Sequence, residues 1–255
     1  MIKRWLAYKK DYSIADELAE ELNISEVMAR VLINRNVETV EDAEIFLNPC
    51  LDELDDPCIM KGMDLAVERI KNAVIYGEKI CVYGDYDVDG ITSVSMLYMV
   101  LKKIGANVSY YIPNRLDEGY GLNLQAIKQI IEQEIQLIIT VDCGIRSIDE
   151  VEFVNSAGRE IIITDHHECG EIIPDAYSVI NPNQKNCGYP FKCLAGAGVA
   201  FKLSCALAHE FQINELHEDI IDLAALGTVA DVVSLLGENR IIVKNGESYC
   251  FRISK

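Results

Sequence analysis

Three clusters of side chains in this sequence have the composition to do chemistry. The first is Asp85-Tyr86-Asp87-Val88-Asp89, the second is Asp142, and the third is Asp165-His166-His167. Each follows directly on a short apolar run: KICVYG, QLIITV and EIIIT respectively. Carboxylates brought together repel one another unless positive charge lies between them. Divalent cations are the usual answer, and carboxylates with a few imidazoles suit manganese or magnesium better than a thiolate-seeking structural zinc. Two such ions about 4 Å apart hold an attacking water and stabilise the leaving oxygen in phosphoryl chemistry. The clusters therefore point to metal-assisted hydrolysis of a phosphate ester.

No simpler site covers all three clusters. Asp85-x-Asp87-x-Asp89-Gly90 has the opening of a calcium loop, but the twelfth loop position, where a glutamate is needed, is Met96, and the cluster follows a strand. An acidic turn capping the next helix through Asp89 or Thr92 would explain the first cluster alone. Asp142-Cys143-Gly144 by itself is an ordinary turn, and His166-His167 by itself is unremarkable; their joint placement after successive strands is what carries the site. Gly196-Ala197-Gly198 lacks the full G-x-G-x-x-G and does not follow the first strand, which disfavours a dinucleotide site. Cys187 and Cys193 with His166 or His167 are too loosely spaced for an expected zinc site. The nine cysteines are scattered without a CxxC pair, and their odd number fits reduced thiols better than a disulfide framework.

The elements that must position these groups form an alternating series. From Lys79 onward, KICVYG precedes a helix from Ile91 to Ile104, NVSYYI a helix over Leu122–Glu132, QLIITV a helix from Ile148 to Ala157, and EIIIT a loop leading to YSVI. Continuous apolar strands between helices predict an α/β fold: a parallel sheet covered by helices on both faces. Ligands in such a sheet bind beyond the carboxyl ends of the strands, so clusters tens of residues apart in sequence converge there. Residues from Ala195 to Val233 read as two helices, and NRIIV as a final strand. Ahead of the sheet, residues 1–75 form a small helical lead-in. Ser13 is expected to cap a helix over IADELAEEL, Ser25 one over EVMARVLINR, and Gly77 to close the helix MDLAVERIKNAVIYG. The catalytic domain is expected over 76–245 and a tail over 246–255.

Composition bounds the rest. No stretch reaches the ~20 apolar residues of a membrane helix, and the N-terminus lacks the apolar core of a signal peptide. A cytoplasmic protein without membrane partners is the default. The net charge of −18 fits poorly with a broad basic nucleic-acid-binding face. Part of it is local: residues 41–60 hold seven acids and no base, as in a solvated linker or helix end.

At this point the residues resemble a known family, the DHH phosphoesterases. Gly84–Gly90 is similar to its first motif, Val141-Asp142-Cys143-Gly144 to its second, Thr164-Asp165-His166-His167 to its third, and Gly227–Val233 to its fourth, all in the family's order. Further stretches resemble its RecJ-type branch: Tyr111–Arg115, Glu118–Asn123, Leu194–Lys202 and Gly237–Arg240. The resemblance covers Lys79 to Val243 and implies the metal-dependent phosphodiesterase core of a 5′ to 3′ exonuclease specific for single-stranded DNA, working in repair and recombination. Alternatives from the same sequence are a DHH phosphodiesterase acting on short oligonucleotides or cyclic dinucleotides, and a non-catalytic binding module.

The resemblance implies two divalent ions, Mn2+ or Mg2+. Asp87 and Asp89 would each bind one ion, Asp142 would bridge them, His166 and Asp231 would complete the coordination of the second ion, and Asp85 would help the first. His167 would contact the scissile phosphate or the leaving oxygen, with Asp165 beside it as a second catalytic residue. Arg115 suits a bidentate phosphate contact or, equally, a surface salt bridge. Gly196 and Gly198 would present helix-start N–H groups to phosphate or simply allow tight packing, and Arg240 joins the substrate-binding set. Gly90 and Gly144 would turn the backbone sharply under the metals. Tyr83 stands where relatives carry histidine, which shifts the first ion's support toward Asp85. Single-stranded DNA is the implied partner, with a repair helicase or single-strand-binding protein as further ones. RecJ-type proteins carry a second lobe and an OB-fold, and the tail from Asn245 does not resemble that continuation, so a truncated chain is expected.

Overall fold

The computed structural model describes residues 11–115, 119, 121–213 and 216–250. Two compact units emerge, Met1–Asp52 and Glu53–Lys255. Within the first, α1 (Ala15–Glu21), α2 (Glu26–Asn34) and α3 (Val40–Leu47) bury Ala15, Leu18, Ala29, Leu32, Ile33 and Ala43. The Ser25 hydroxyl accepts from the Met28 N–H, as its position before EVMARVLINR predicts. Ser13 makes no such cap: α1 begins at Ala15, so the residue at the cap position is Ile14, which offers no side-chain acceptor.

The second unit begins earlier than the sequence pattern implies. Helix α4 (Met63–Tyr76), placed by pattern in the lead-in, packs on β5 (Ser178–Ile180) and on α8 (Gly196–Glu210). The reason is a buried face of Met63, Ala66, Arg69, Ile70 and Ala73, with the Arg69 guanidinium paired to Glu78 and Glu160. Gly77 closes α4 in the left-handed conformation, as expected.

The sheet is wholly parallel, in the order β2-β1-β3-β4-β5, with β1 Lys79–Gly84, β2 Asn107–Tyr111, β3 Leu137–Val141 and β4 Glu160–Thr164. One face packs Cys81, Tyr83, Ile138, Ile161 and Ile163 against α6 (Leu124–Glu132) and α7 (Ile148–Ser156). The other face, with Ile80, Val82, Leu137, Ile139 and Ile162 fully buried, meets α5 (Val88–Lys103) and α8. Burial on both faces is why the strands read as unbroken apolar runs rather than alternating ones. Each such isoleucine or leucine contributes about 1.5–3 kcal/mol of transfer free energy.

Two helices, α9 (Leu216–Ala230) and α10 (Gly237–Cys250), pack on each other and, through α9, on α5 and α8. Helix α10 corrects the expected NRIIV strand and also extends through part of the expected tail. Its Ile241 and Ile242 are buried and Gly246 lies against the backbone of Ile221, a close approach that a strand there could not make. A short β-branched run does not by itself distinguish strand from helix. Among the described residues no helix is long and apolar enough to cross a membrane.

One buried ion pair ties α8 to α10. Lys202 Nζ lies 2.5 Å from Glu238 Oε1 and donates to the Asp55 carbonyl at 2.8 Å. Glu238 also accepts the Tyr189 hydroxyl at 2.6 Å and the Asp55 N–H at 3.0 Å. Removing one partner strands a buried charge, so Lys202→Ala should cost about 3–5 kcal/mol in urea unfolding, while the paired Lys202→Met/Glu238→Leu change should cost much less. Equal losses in the two variants would show that packing rather than charge pairing is at stake.

Candidate metal centre

The strand register gathers the site. Gly84, Val141, Thr164 and Ile180 lie on one rung across β1, β3, β4 and β5. The next residue on each strand is Asp85, Asp142, Asp165 and Asn181, so the polar groups emerge side by side at the carboxyl end of the sheet. Strands β1 and β3 are where the chain order reverses, the usual position of a ligand crevice in a doubly wound sheet.

Three groups of potential ligands interlock there, the donor atoms within each lying within 4.8 Å of one another: Asp85, Asp87 and Asp142; Asp89, His166 and Asp231; and Asp142, His166 and His167. Asp142 belongs to two of them, as a bridging carboxylate would. His166 Nε2 sits 3.2 Å from Asp142 Oδ1, 3.8 Å from Asp231 Oδ2 and 3.9 Å from Asp89 Oδ2. Among the described residues none of these groups contains a cysteine.

Electrostatics show what the cluster lacks. Burial, and then the charge of Asp142, push Asp89 up to about 7. Burial likewise lifts Asp142 to about 6 against the pull of His166. Burial raises Asp85, and neither of its carboxylate oxygens meets a donor in hydrogen-bonding geometry, the Tyr86 N–H helping only electrostatically. For His166, burial opposes the charged form, yet the Asp142 hydrogen bond and the charges of Asp142, Asp89 and Asp231 lift it to about 9. The imidazolium thus stands in for missing positive charge. An oxygen-rich donor set with one imidazole and this excess of negative charge fits Mn2+ or Mg2+.

The supporting contacts are equally specific. Asp87, rather than Asp89 or Thr92, caps α5, accepting from the Gly90 N–H at 2.9 Å. Asp89 is gripped by the start of α8: the Gly196 N–H reaches its Oδ2 at 2.8 Å and the Ala197 N–H its Oδ1 at 2.6 Å. The expected phosphate-binding N–H of Gly196 is therefore committed to a carboxylate, which suits the positive helix start equally well. Gly196 is also a close-approach residue, since a Cβ there would lie 2.5 Å from Asp142 Oδ1. Gly198 packs against Leu194, and a Cβ on Gly227 of α9 would meet Thr92 Oγ1 at 2.4 Å and Asp89 Oδ1 at 2.9 Å. Gly90 is needed for its closeness to the Asp85 backbone (2.5 Å from a Cβ to the carbonyl oxygen) rather than for a sharp turn. Gly144, at φ +110°, does provide the turn.

Asp165 is buried and spends both oxygens on its surroundings. Oδ2 accepts the Ile145 N–H at 2.9 Å; Oδ1 accepts the N–H groups of His166 and His167 and lies 2.7 Å from His167 Nδ1. A carboxylate can only accept, so Nδ1 carries the proton and Nε2 is the nitrogen able to act on a substrate. Burial would lift Asp165, but the His167 pair and the Ile145 N–H hold it below its ordinary value. In this arrangement Asp165 fixes the orientation of the His167 ring. Asn181 and Asn183 hold the same loop, donating to the carbonyls of His167 and His166 at 2.9 and 2.7 Å. Sequence reasoning passed over both; the polar Asn-Pro-Asn at the end of a strand was the available signal.

Arg115 is exposed, its guanidinium 5.3 Å from the Tyr86 ring centre and near enough to Asp85 to favour its charge. Arg240 lies part-buried on α10 and is not one of the clustered ligands. The Tyr83 ring stacks on Tyr111 and its hydroxyl donates to the Gly121 carbonyl at 2.9 Å, so it braces a loop. Glu118 and Tyr120, in another of the resembling stretches, lie outside the described residues.

Comparisons with known proteins agree with this architecture. The family model described as DHH family, N-terminal domain, matches residues 79–228. The single-stranded-DNA-specific exonuclease RecJ of Bacillus subtilis is 46% identical over 243 residues, covering 95% of this chain and 30% of that protein. A crystal structure of RecJ from Thermus thermophilus in complex with Mn2+ superposes with a TM-score of 0.78 at 32% identity, covering 94% of this chain and 33% of the other. A second, of exonuclease RecJ bound to manganese, has a TM-score of 0.70 at 38% identity and covers 78% and 49%. The chain therefore spans between 30% and 49% of the length of these relatives. If the glycine fit at α8 sets the ligand geometry, Gly196→Ala should weaken Mn2+ binding by about 10–100-fold in calorimetry, the usual effect of disturbing a ligand's support. Unchanged affinity would mean that the helix start yields without moving Asp142.

Proposed function

Because this chain belongs to the DHH family, we propose that it is the catalytic core of a metal-dependent phosphodiesterase that removes nucleotides from single-stranded DNA. The observation that carries the proposal is the pair of ligand groups, Asp85-Asp87-Asp142 and Asp89-His166-Asp231, which meet where His166 Nε2 lies 3.2 Å from Asp142 Oδ1. Divalent cations bound there would supply Lewis-acid stabilisation of the phosphate and an activated water.

The chain's own residues then have distinct work. Asp87 and Asp89 present carboxylates from the first turn of α5, one fixed by the cap and one by the N-terminus of α8. Asp142 and His166 close the space between them. Asp165 fixes the His167 ring by Nδ1, so that Nε2 is oriented to stabilise the developing charge or deliver a proton to the leaving oxygen. Arg115, exposed near Asp85, is proposed to contact the phosphate backbone. The specificity for single strands is supported by the RecJ relatives, each of them a longer protein than this chain.

The test is release of nucleotides from single-stranded DNA, labelled at either end, by the purified chain in Mn2+. A blunt duplex and a cyclic dinucleotide serve as competing substrates. Asp142→Ala should reduce release to the level seen with EDTA while leaving the circular dichroism spectrum intact. Activity that survives this change would refute the bridging assignment. His167→Gln should lower turnover by about 10²–10⁴-fold, as expected for a lost proton-transfer group, with Mn2+ affinity little changed. Cleavage of the cyclic dinucleotide alone would replace the proposed substrate.

A further inference from the structure

A cavity of about 440 Å³ opens beside His167, which is the one member of the clustered ligand groups that lines it. Its floor is apolar, from Leu122 and Ile145, and its walls are the main chain of Gly121 and Gly144. Its rim carries Arg146, Ser147 and Glu150 from the start of α7. The volume is at the small end of ligand pockets, which fall at roughly 300–1,000 Å³.

Its chemistry favours a nucleobase over a phosphate. Glu150 on the rim and Asp165 behind His167 oppose a second anion, and Arg146 is the cation at the rim. Against that, the rim offers what the edge of a base needs: a guanidinium and a hydroxyl as donors and a carboxylate as acceptor. The Ser147 hydroxyl makes no cap bond to α7. Two planar groups, the His167 ring and the Arg146 guanidinium, line the same space, and both stack on bases in single-strand recognition. A Cβ on Gly121 would meet no atom within 4 Å, so this wall stays open to a flat ligand.

The walls are also fixed in place. The Gly121 carbonyl accepts the hydroxyl of the buried Tyr83, the Ile145 N–H is held by Asp165, and Arg146 Nε donates to the Glu168 carbonyl at 3.1 Å. The pocket is therefore tied, through Asp165, to the group that orients His167. Resting on the phosphodiesterase reading above, we infer that this cavity is the base subsite for the nucleoside on the His167 side of the scissile phosphate, with Arg146, Ser147 and Glu150 reading its edge. Donors and an acceptor together let the subsite meet the edge of more than one base.

The experiment compares two ligands by calorimetry in Mn2+: thymidine 5′-monophosphate, and deoxyribose 5-phosphate, which keeps the sugar and phosphate but lacks the base. The base should add about tenfold or more in affinity for the unaltered chain, in the range that base stacking supplies. Ser147→Trp, which fills the cavity, should erase that increment while leaving deoxyribose 5-phosphate and Mn2+ binding unchanged. Arg146→Ala, at an exposed position, should lose part of it. Equal affinity of the unaltered chain for the two ligands overturns the subsite, as does an increment that survives Ser147→Trp, or binding of Mn2+ but of neither ligand. Failure to bind Mn2+ at all would instead overturn the metal-dependent reading on which the subsite rests.

Discussion

Mutual repulsion among Asp85, Asp87, Asp89, Asp142 and Asp231 is the constraint that the rest of the domain answers. Left alone, buried acids take up protons, and Asp89 and Asp142 are pushed that way, to about 7 and about 6. The fold opposes this with fixed positive ends: the α8 N-terminus on Asp89, the α5 turn on Asp87, and the His166 imidazolium among three carboxylates. These contacts offset part of the repulsion without removing the space between the donors. Asp85, whose buried oxygens find only the Tyr86 N–H nearby and outside good hydrogen-bonding geometry, marks where the compensation stops and where a cation would complete it.

Holding charges this close requires a scaffold that cannot relax. Parallel strands in register supply it, because the rung through Gly84, Val141, Thr164 and Ile180 fixes the level at which each polar side chain leaves the sheet. Local strain is accepted in return. Asp142 has φ of +58° and Val232, directly after Asp231, has φ of +60°. Such left-handed backbone costs a side-chain-bearing residue roughly 1–2 kcal/mol, least for aspartate and asparagine and most for a β-branched residue. Strain at two positions beside candidate ligands is what a site under geometric demand shows.

How much of this was legible in the sequence follows from the range of the forces involved. The apolar runs of β1, β3 and β4 read correctly because burial on both faces leaves them no polar positions, and the acids ending them were therefore placed correctly as well. Gly77 and Ser25 read correctly because capping is local. Ser13 failed because the helix begins one residue later than the pattern placed it, at Ala15, which leaves Ile14 at the cap position. NRIIV failed because its isoleucines face α9, a tertiary contact that no five-residue window contains. The boundary after residue 52 was hidden because α4 carries a helix signal like that of α1–α3, and only its packing on β5 and α8 assigns it to the larger unit. The commitment of Gly196 to Asp89 spans 107 positions in the chain and was unreadable in principle, whereas glycine at a helix start correctly marked a close approach.

The two flanks of the site are built on different terms. On the flank of α8 and α9, Gly196 and Gly227 leave no room for even a methyl group, and the donors are already engaged. That flank is built to support the ligands. On the flank of the β3–α7 loop and Gly121, the backbone turns through positive φ at Gly121 and Gly144, and the walls stand apart. His167 lies on the boundary, fixed by Asp165 on its Nδ1 side. A rigid flank that concentrates charge and an open flank that accepts a ligand give the site a direction. Tyr83, stacked on Tyr111 within the sheet core and bonded to Gly121, carries the rigidity of the first to the wall of the second.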